Sequence, residues 1–293
     1  MVVLSGREPS AAVRAETAVR SAQFMKKYSR RPCLCVVLAG DDPASLTYVR
    51  NKQKACEETG IEHRDFYFDG SVTMEELLDC IRNLNGDDTV DGILVQMPLP
   101  AHLDPEQIIR AIDPRKDVDG FHPQNIGNLL LGHRTLVSCT PKGILRILDY
   151  YNIPTAGKTV CIMGRSNIVG KPMAALLVQK GRDATVTVCH TATPDDSFFT
   201  RTADIVIVAT GKTDSLTADM VKPGAVVIDV GINRIPDASK KTGFSLKGDA
   251  DYEGISQIAS AMTPVPGGVG PMTIAMLLEN TIQAAFSRMK GEE

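Results

Sequence analysis

At 293 residues the chain has room for two domains of roughly 150 residues each. Its 43% hydrophobic and 23% charged residues are ordinary for a globular protein, and its net charge of −3, with acids and bases interspersed, gives no footprint for nucleic acid or an anionic membrane. No apolar run approaches the roughly 18 to 20 residues that a spanning helix needs, so a membrane partner is not expected either.

The first 27 residues carry several Arg and small residues, as mitochondrial transit peptides do. Glu8 and Glu16 argue against that reading, because such peptides are poor in acids. Ala12, Val13, Ala15, Val19 and Phe24 read as a helix stripe of the folded protein, and the chain is expected to be cytoplasmic. CLCVVLAG (33–40) is a strand-like apolar run ending in Gly. A helix is predicted from about 43 to 59, with Asp42 as N-cap, Pro43 at its first position and Gly60 just past its end. HRDFYFDG is a second strand, and Thr73 with Glu76 forms a capping box that opens the helix TMEELLDCIRNL. GILVQMPLP is a third strand running into a Pro-rich loop, followed by a short helix, DPEQIIRAI. Strands alternating with helices imply parallel β-α units and a covered sheet.

KDVDGFHPQNIGNLLLG (116–132) has loop composition, and SCTPKGILRILDYY starts a long helix with Thr140 as cap. A second alternating block begins at GKTVCIMG and continues through ATVTVCH, ADIVIVATG and AVVIDVGIN. IPDASKKTGFSLKGDADY reads as a hairpin or surface loop, and a last helix spans about 271 to 289. The seven cysteines have no CxxC spacing and sit largely in apolar runs, which suits buried reduced thiols. Nothing resembles a zinc or calcium ligand set, so no metal is expected.

TVCIMGRSNIVGKPMAALL is strand, glycine turn, then helix, the context in which a Gly-rich turn offers free N–H groups to a phosphate. Gly164 and Gly170 depart from the GxGxxG fingerprint, so a turn without a ligand stays open at this point. The next strand ends in Cys189-His190-Thr191, with no carboxylate to hold a ribose 2′-hydroxyl. Arg165 stands where a guanidinium meets a 2′-phosphate, which favours NADP over NAD; a solvated arginine is the bland alternative.

Tyr48 and Lys52, in SLTYVRNKQK, lie one helical turn apart on one face. A lysine held in a cleft loses solvation, which lowers its pKa toward a range useful for proton transfer. By itself the spacing equally fits a surface pair. Short-chain dehydrogenases also use Tyr-x-x-x-Lys, but with the glycine turn first in the chain. Here the order is reversed.

Seven stretches in order resemble the bifunctional methylenetetrahydrofolate dehydrogenase/methenyltetrahydrofolate cyclohydrolase family: SLTYVRNKQK with Gly60-Ile61, DGILVQMPLP, KDVDGFHPQNIG, SCTPKG, GRSNIVGKPM, VIDVGIN and TPVPGGVGPMT. The resemblance covers most of the chain. It implies an α/β fold of two α/β domains flanking a cleft, the second a Rossmann-like dinucleotide-binding domain. Residues 1–145 with 272–293 would form the folate-binding catalytic domain, and 146–271 the NADP-binding domain. It also implies a homodimer, tetrahydrofolate derivatives as substrates and NADP as cofactor.

Carried over residue by residue, the resemblance makes Lys52 the catalytic lysine and Tyr48 the aromatic beside the pterin. Gln96 would contact Lys52 and tune it, with Val95 beside it in the substrate site. Asp119 would accept hydrogen bonds from the pterin. Pro266 and Gly270 would border the folate, and Gly164, Arg165, Ser166, Thr191 and Ile232 would line the cofactor site. Asp117 is expected to cap its loop, with no catalytic role. Met97 stands where Leu is frequent and Thr191 where Ser is frequent, and neither removes a group the chemistry needs.

Overall fold

The computed structural model describes residues 1–240 and 243–289. In chain order the elements are β1 (Val2–Val3), α1 (Arg7–Tyr28), β2 (Cys33–Ala39), α2 (Pro43–Thr59), β3 (Glu62–Phe68), α3 (Met74–Gly86), β4 (Gly92–Val95), α4 (Pro105–Ala111), α5 (Pro123–Leu130) and α6 (Cys139–Tyr150). They continue as β5 (Thr159–Met163), α7 (Gly170–Leu177), β6 (Thr185–Cys189), α8 (Ser197–Thr200), β7 (Ile205–Val208), β8 (Val226–Asp229), β9 (Asn233–Pro236), β10 (Phe244–Lys247), α9 (Tyr252–Ser256), β11 (Ala261–Met262) and α10 (Val269–Met289). They divide into two compact units: Ala11–Cys139 with Ile274–Glu293, and Met1–Ser10 with Thr140–Thr273.

The first unit is built on a parallel three-stranded sheet in the order β3-β2-β4. Every residue of β2 is buried, which is why its sequence is apolar without alternation. Cys33, Cys35, Val37 and Ala39 pack on one face with Leu77, Ile81 and Ile108 of α3 and α4. The helix signals operate as their chemistry requires. Asp42 accepts from the Ser45 N–H at 2.8 Å, and Gly60 closes α2 in the left-handed region at φ 72°. Thr73 and Glu76 exchange the two hydrogen bonds of a capping box.

The second unit holds a six-stranded parallel sheet in the order β1-β11-β8-β7-β5-β6. Its core gathers Val206, Val208, Val227, Leu216, Ile255 and Met262. The chain leaves β5 toward β6 and then returns past β5 to β7. The strand order therefore reverses between β5 and β7, where open α/β sheets bind ligands at the carboxyl ends of their strands.

Several expectations need correction. The first ten residues group with the nucleotide-type unit, because Val2 and Val3 pair with Ala261 and Met262. The other divisions fall at 139/140 and 273/274, against the expected 145/146 and 271/272. Residues 123–130, expected as loop, form α5: His122 Nδ1 accepts from the Gln124 N–H at 3.1 Å, and Leu129 is buried. Thr140 lies inside α6 and does not cap it. The buried face of α1 is Val13, Thr17, Ser21 and Phe24, while Val19 is 59% exposed. The hairpin forms between β9 and β10, and residues 241–242 lie outside the described residues. All seven cysteines are free, and all but the partly buried Cys80 are buried.

Candidate active site

In the first unit, α2 and the carboxyl end of β4 bring the predicted catalytic side chains together. Lys52 is half-buried, while its neighbours Arg50 and Lys54 on the same helix are exposed. Its Nζ donates to Gln96 Oε1 at 2.8 Å. Gln96 follows β4, whose last residue is the buried Val95. The Gln96 backbone N–H donates to Val37 O at 2.8 Å, and its side-chain amide donates to Met97 O at 2.6 Å. With the NH₂ so committed, the amide oxygen is the atom presented to Lys52. Tyr48 stands one turn back on α2 and is 45% exposed.

Asp119 completes the group. Burial pushes its carboxyl up to about 6, with the Lys52 ammonium pulling the other way and Asp117 reinforcing the rise. Burial likewise lowers the Lys52 ammonium, opposed by Asp119, Cys139 and Cys56. The Cys139 thiol lies 4.0 Å from Asp119 Oδ1. A lysine brought nearer to neutrality beside a carboxylate is equipped to move protons.

The loop that carries Asp119 is fixed by its own residues. Lys116, almost wholly buried, donates to the carbonyls of Leu84, Asn85 and Asp87 at 2.7 to 2.9 Å and so caps the end of α3. Asp117 accepts from the backbone N–H groups of Gly120 and His122 and from Asn125 Nδ2. Its oxygens are occupied in shaping the turn, as a loop-capping acid. Asn280 of α10 donates to Val118 O and Val137 O, both at 2.8 Å.

In the second unit, the glycine turn after β5 is built as a ligand cradle. Gly164 adopts φ 119°, and a Cβ there would collide with Ala209 O; one on Gly170 would collide with Gly164 O. Ser166 Oγ accepts from the Val169 N–H at 3.1 Å at the start of α7. Arg165 is exposed and makes no side-chain hydrogen bond or ion pair among the described residues. Thr191 is exposed just past β6, whose end is tied to the turn by the Gly164 N–H donating to Cys189 O at 2.9 Å. The helix N-terminus, the close-packed glycines and the unpaired guanidinium fit a dinucleotide phosphate.

A pocket of about 270 Å³ in the same unit collects Ile232, Pro266 and Gly270 with Asp229 and Arg7. Thus three residues expected at ligand contacts share one wall, although two were assigned to folate and one to the cofactor. Arg7, Asp229, Asn233 and Asp249 were not singled out from sequence. The one local signal among them is Asp229, an acid inside the apolar run AVVIDVGIN. Among the described residues no group of three or more His, Cys, Asp or Glu is placed to hold a metal ion, and no helix is long and apolar enough to cross a membrane.

Two family models match the chain: the tetrahydrofolate dehydrogenase/cyclohydrolase catalytic domain over residues 4–119, and the NAD(P)-binding domain of the same family over 138–289. The bifunctional protein FolD of Chlorobium limicola is 56% identical over 288 residues, covering 97% of each chain. That of Chlorobium chlorochromatii is 54% identical over 99% of this chain and 100% of its own. Among solved structures, the bifunctional FolD dehydrogenase/cyclohydrolase of Campylobacter jejuni aligns with a TM-score of 0.92 at 49% identity, covering 98% of this chain and 99% of its own. The Trypanosoma brucei dehydrogenase-cyclohydrolase, solved with NADP and an inhibitor, aligns with a TM-score of 0.93 at 37% identity, covering 99% of each chain.

Proposed function

Because the chain belongs to the tetrahydrofolate dehydrogenase/cyclohydrolase family, we propose a division of labour among its residues for that family's two reactions. The chain oxidises 5,10-methylenetetrahydrofolate to the 5,10-methenyl form and hydrolyses that product to 10-formyltetrahydrofolate. The observation that carries the assignment is the Lys52–Gln96 hydrogen bond at 2.8 Å beside the half-buried Asp119 carboxyl.

In the hydrolytic step, Lys52 takes a proton from water as oxygen bonds to the methenyl carbon. It returns that proton to the ring nitrogen as the carbon–nitrogen bond opens, and the hydroxyl proton of the addition product leaves to solvent as the formyl C=O forms. Gln96 holds the amine in place through a neutral acceptor, so Lys52 is not locked as a cation. Asp119, ionised at neutral pH, accepts hydrogen bonds from the pterin amino and ring N–H groups. Tyr48 supplies an aromatic face for the pterin, with Val95 beside it, and Pro266 and Gly270 border the folate.

NADP⁺ supplies the hydride acceptor for the oxidative step when bound. Gly164, Arg165 and Ser166 at the start of α7, Thr191 past β6 and Ile232 past β8 would hold it. No carboxylate stands at the end of β6 to oppose a 2′-phosphate, and Arg165 offers it a free guanidinium. We also read the protein as a cytoplasmic homodimer without a nucleic-acid partner. Family membership supports the dimer, the acids Glu8 and Glu16 in the first helix support the cytoplasm, and the net charge of −3 supports the absence of a nucleic-acid partner.

The experiment is a spectrophotometric assay with methylenetetrahydrofolate and NADP⁺. Nicotinamide reduction followed by decay of the methenyl absorbance is the expected result. Lys52→Met should keep the fold and lose about 10²- to 10⁴-fold of cyclohydrolase turnover. Wild-type turnover in that variant would overturn the role of Lys52. Cofactor binding without turnover in the parent protein would indicate a nucleotide sensor instead.

A further inference from the structure

Asp249, the first residue after Gly248 beyond β10, is fully buried and forms no ion pair among the described residues. Its Oδ2 accepts from the backbone N–H groups of Thr210 and Gly211, both at 2.7 Å, and from Thr210 Oγ1 at 3.1 Å. Its Oδ1 accepts from Asn233 Nδ2 at 2.8 Å. Both oxygens are thereby spent on two segments distant in sequence, the loop after β7 and the turn after β8.

These segments are walls of the nucleotide crevice. The loop after β7 begins at Ala209, whose carbonyl abuts Gly164 so closely that no Cβ fits between them. The turn after β8 is Val230-Gly231-Ile232, which leads into Asn233 at the start of β9 and carries Ile232 into the 270 Å³ pocket. A Cβ on Gly231 would run into the Asp249 carboxylate. A second carboxylate, Asp229, accepts from the N–H groups of Gly231, Asp249 and Ala250, each at 2.9 Å, and so fixes Asp249 itself.

We propose that Asp249 is a positioning residue for the cofactor: its carboxylate ties the loop after β7 to the turn bearing Ile232 and sets the crevice width. A buried charge without a cation is costly unless its oxygens are hydrogen-bonded. Four donors converging from two loops meet that need, and an amide of the same shape does not. One end of an asparagine is a donor, which would face either the Asn233 amide or the Thr210 and Gly211 N–H groups. Asp249 touches neither the Arg165 nor the Thr191 side of the site, so it should act on NAD⁺ and NADP⁺ alike.

This inference rests on the nucleotide site assigned above. The test measures KM for NADP⁺, NAD⁺ and methylenetetrahydrofolate in Asp249→Asn, after confirming native circular dichroism. KM for both nucleotides should rise by about tenfold, in equal proportion, the factor expected when a charge-assisted hydrogen bond is lost. KM for the folate should stay near the parent value. Unchanged nucleotide KM in a folded variant would overturn the proposal. If Asp249→Asn does not fold, Asn233→Ala decides: it removes one donor, and an unchanged nucleotide KM there is equally fatal. A parent protein that neither binds nor reduces NADP⁺ would instead refute the underlying site.

Discussion

Lys52 Nζ donates to Gln96 Oε1 across 2.8 Å, and the Gln96 NH₂ is held by Met97 O, so the lysine faces a neutral oxygen and not an anion. Replacing that amide with a carboxylate changes charge and almost nothing in shape. Gln96→Glu should raise the Lys52 pKa, because an adjacent anion favours the ammonium. The limb of the cyclohydrolase pH–rate profile that reports a neutral lysine should move to higher pH, and activity at neutral pH should fall. An unmoved limb in a folded Gln96→Glu enzyme would show that Lys52 is not the titrating base.

Asp119 gives a prediction with the opposite sign from most carboxylates. Its carboxyl is raised from 3.8 to about 6 in the folded protein. A raised carboxyl contributes stability that is fully present below the unfolded value and lost as pH climbs through the folded one. Ionising it in place costs about 2 to 3 kcal/mol. Asp119→Asn should therefore melt like the parent near pH 3.5, and its advantage should open between about pH 4 and 6 and persist above. Melting curves across that range provide the check. A gain confined to acid pH would contradict the desolvated, ligand-ready carboxylate.

Arg165 is the selective counterpart of Asp249. Arg165→Ala removes a guanidinium that has no internal partner among the described residues, so little folding stability is at stake. KM for NADP⁺ should rise at least about tenfold, the scale of a charge-assisted phosphate contact, while KM for NAD⁺ should barely move. Equal losses for both nucleotides would remove the 2′-phosphate role.

Much of this molecule is legible locally. Asp42, Gly60, Thr73 with Glu76, and the unbroken apolar runs of β2 and β7 announce their elements within a few residues. Lys52 is different, because a Tyr-x-x-x-Lys pair alone also fits a solvated helix face. Only the companion stretches VQMPLP and DVDG separate the two readings. β1 was out of reach, since Val2-Val3 has no periodicity and its partner β11 lies at the other end of the chain. α5 was hidden by Gly127 and two asparagines, with His122 as its cap. Asp249 was hidden because its donors come from two segments whose meeting is fixed only by the sheet order.

Asp91 should carry a large share of the stability of its unit. Its side chain is wholly buried at the start of β4 and takes a two-pronged contact from Arg30 at 2.7 and 2.8 Å. It also accepts from the Cys33 N–H at 2.9 Å and from Arg288 Nη1 at 3.0 Å, joining the segment after α1, β2 and the end of α10. The Arg30 guanidinium, held above its usual range by this carboxylate, also lies over the Phe24 ring at 5.0 Å. Removing one partner of a buried ion pair leaves the others uncompensated, which typically costs about 3 to 5 kcal/mol. Asp91→Ala should therefore lower Tm by roughly 10 °C, at about 2 to 4 °C per kcal/mol for a unit of this size. Because the group is buried, raising the salt concentration should not reproduce the loss in the parent protein. Thermal melts of parent and variant at low and high salt measure both effects. A drop of only a degree or two, matched by salt in the parent, would reduce this network to an ordinary surface ion pair.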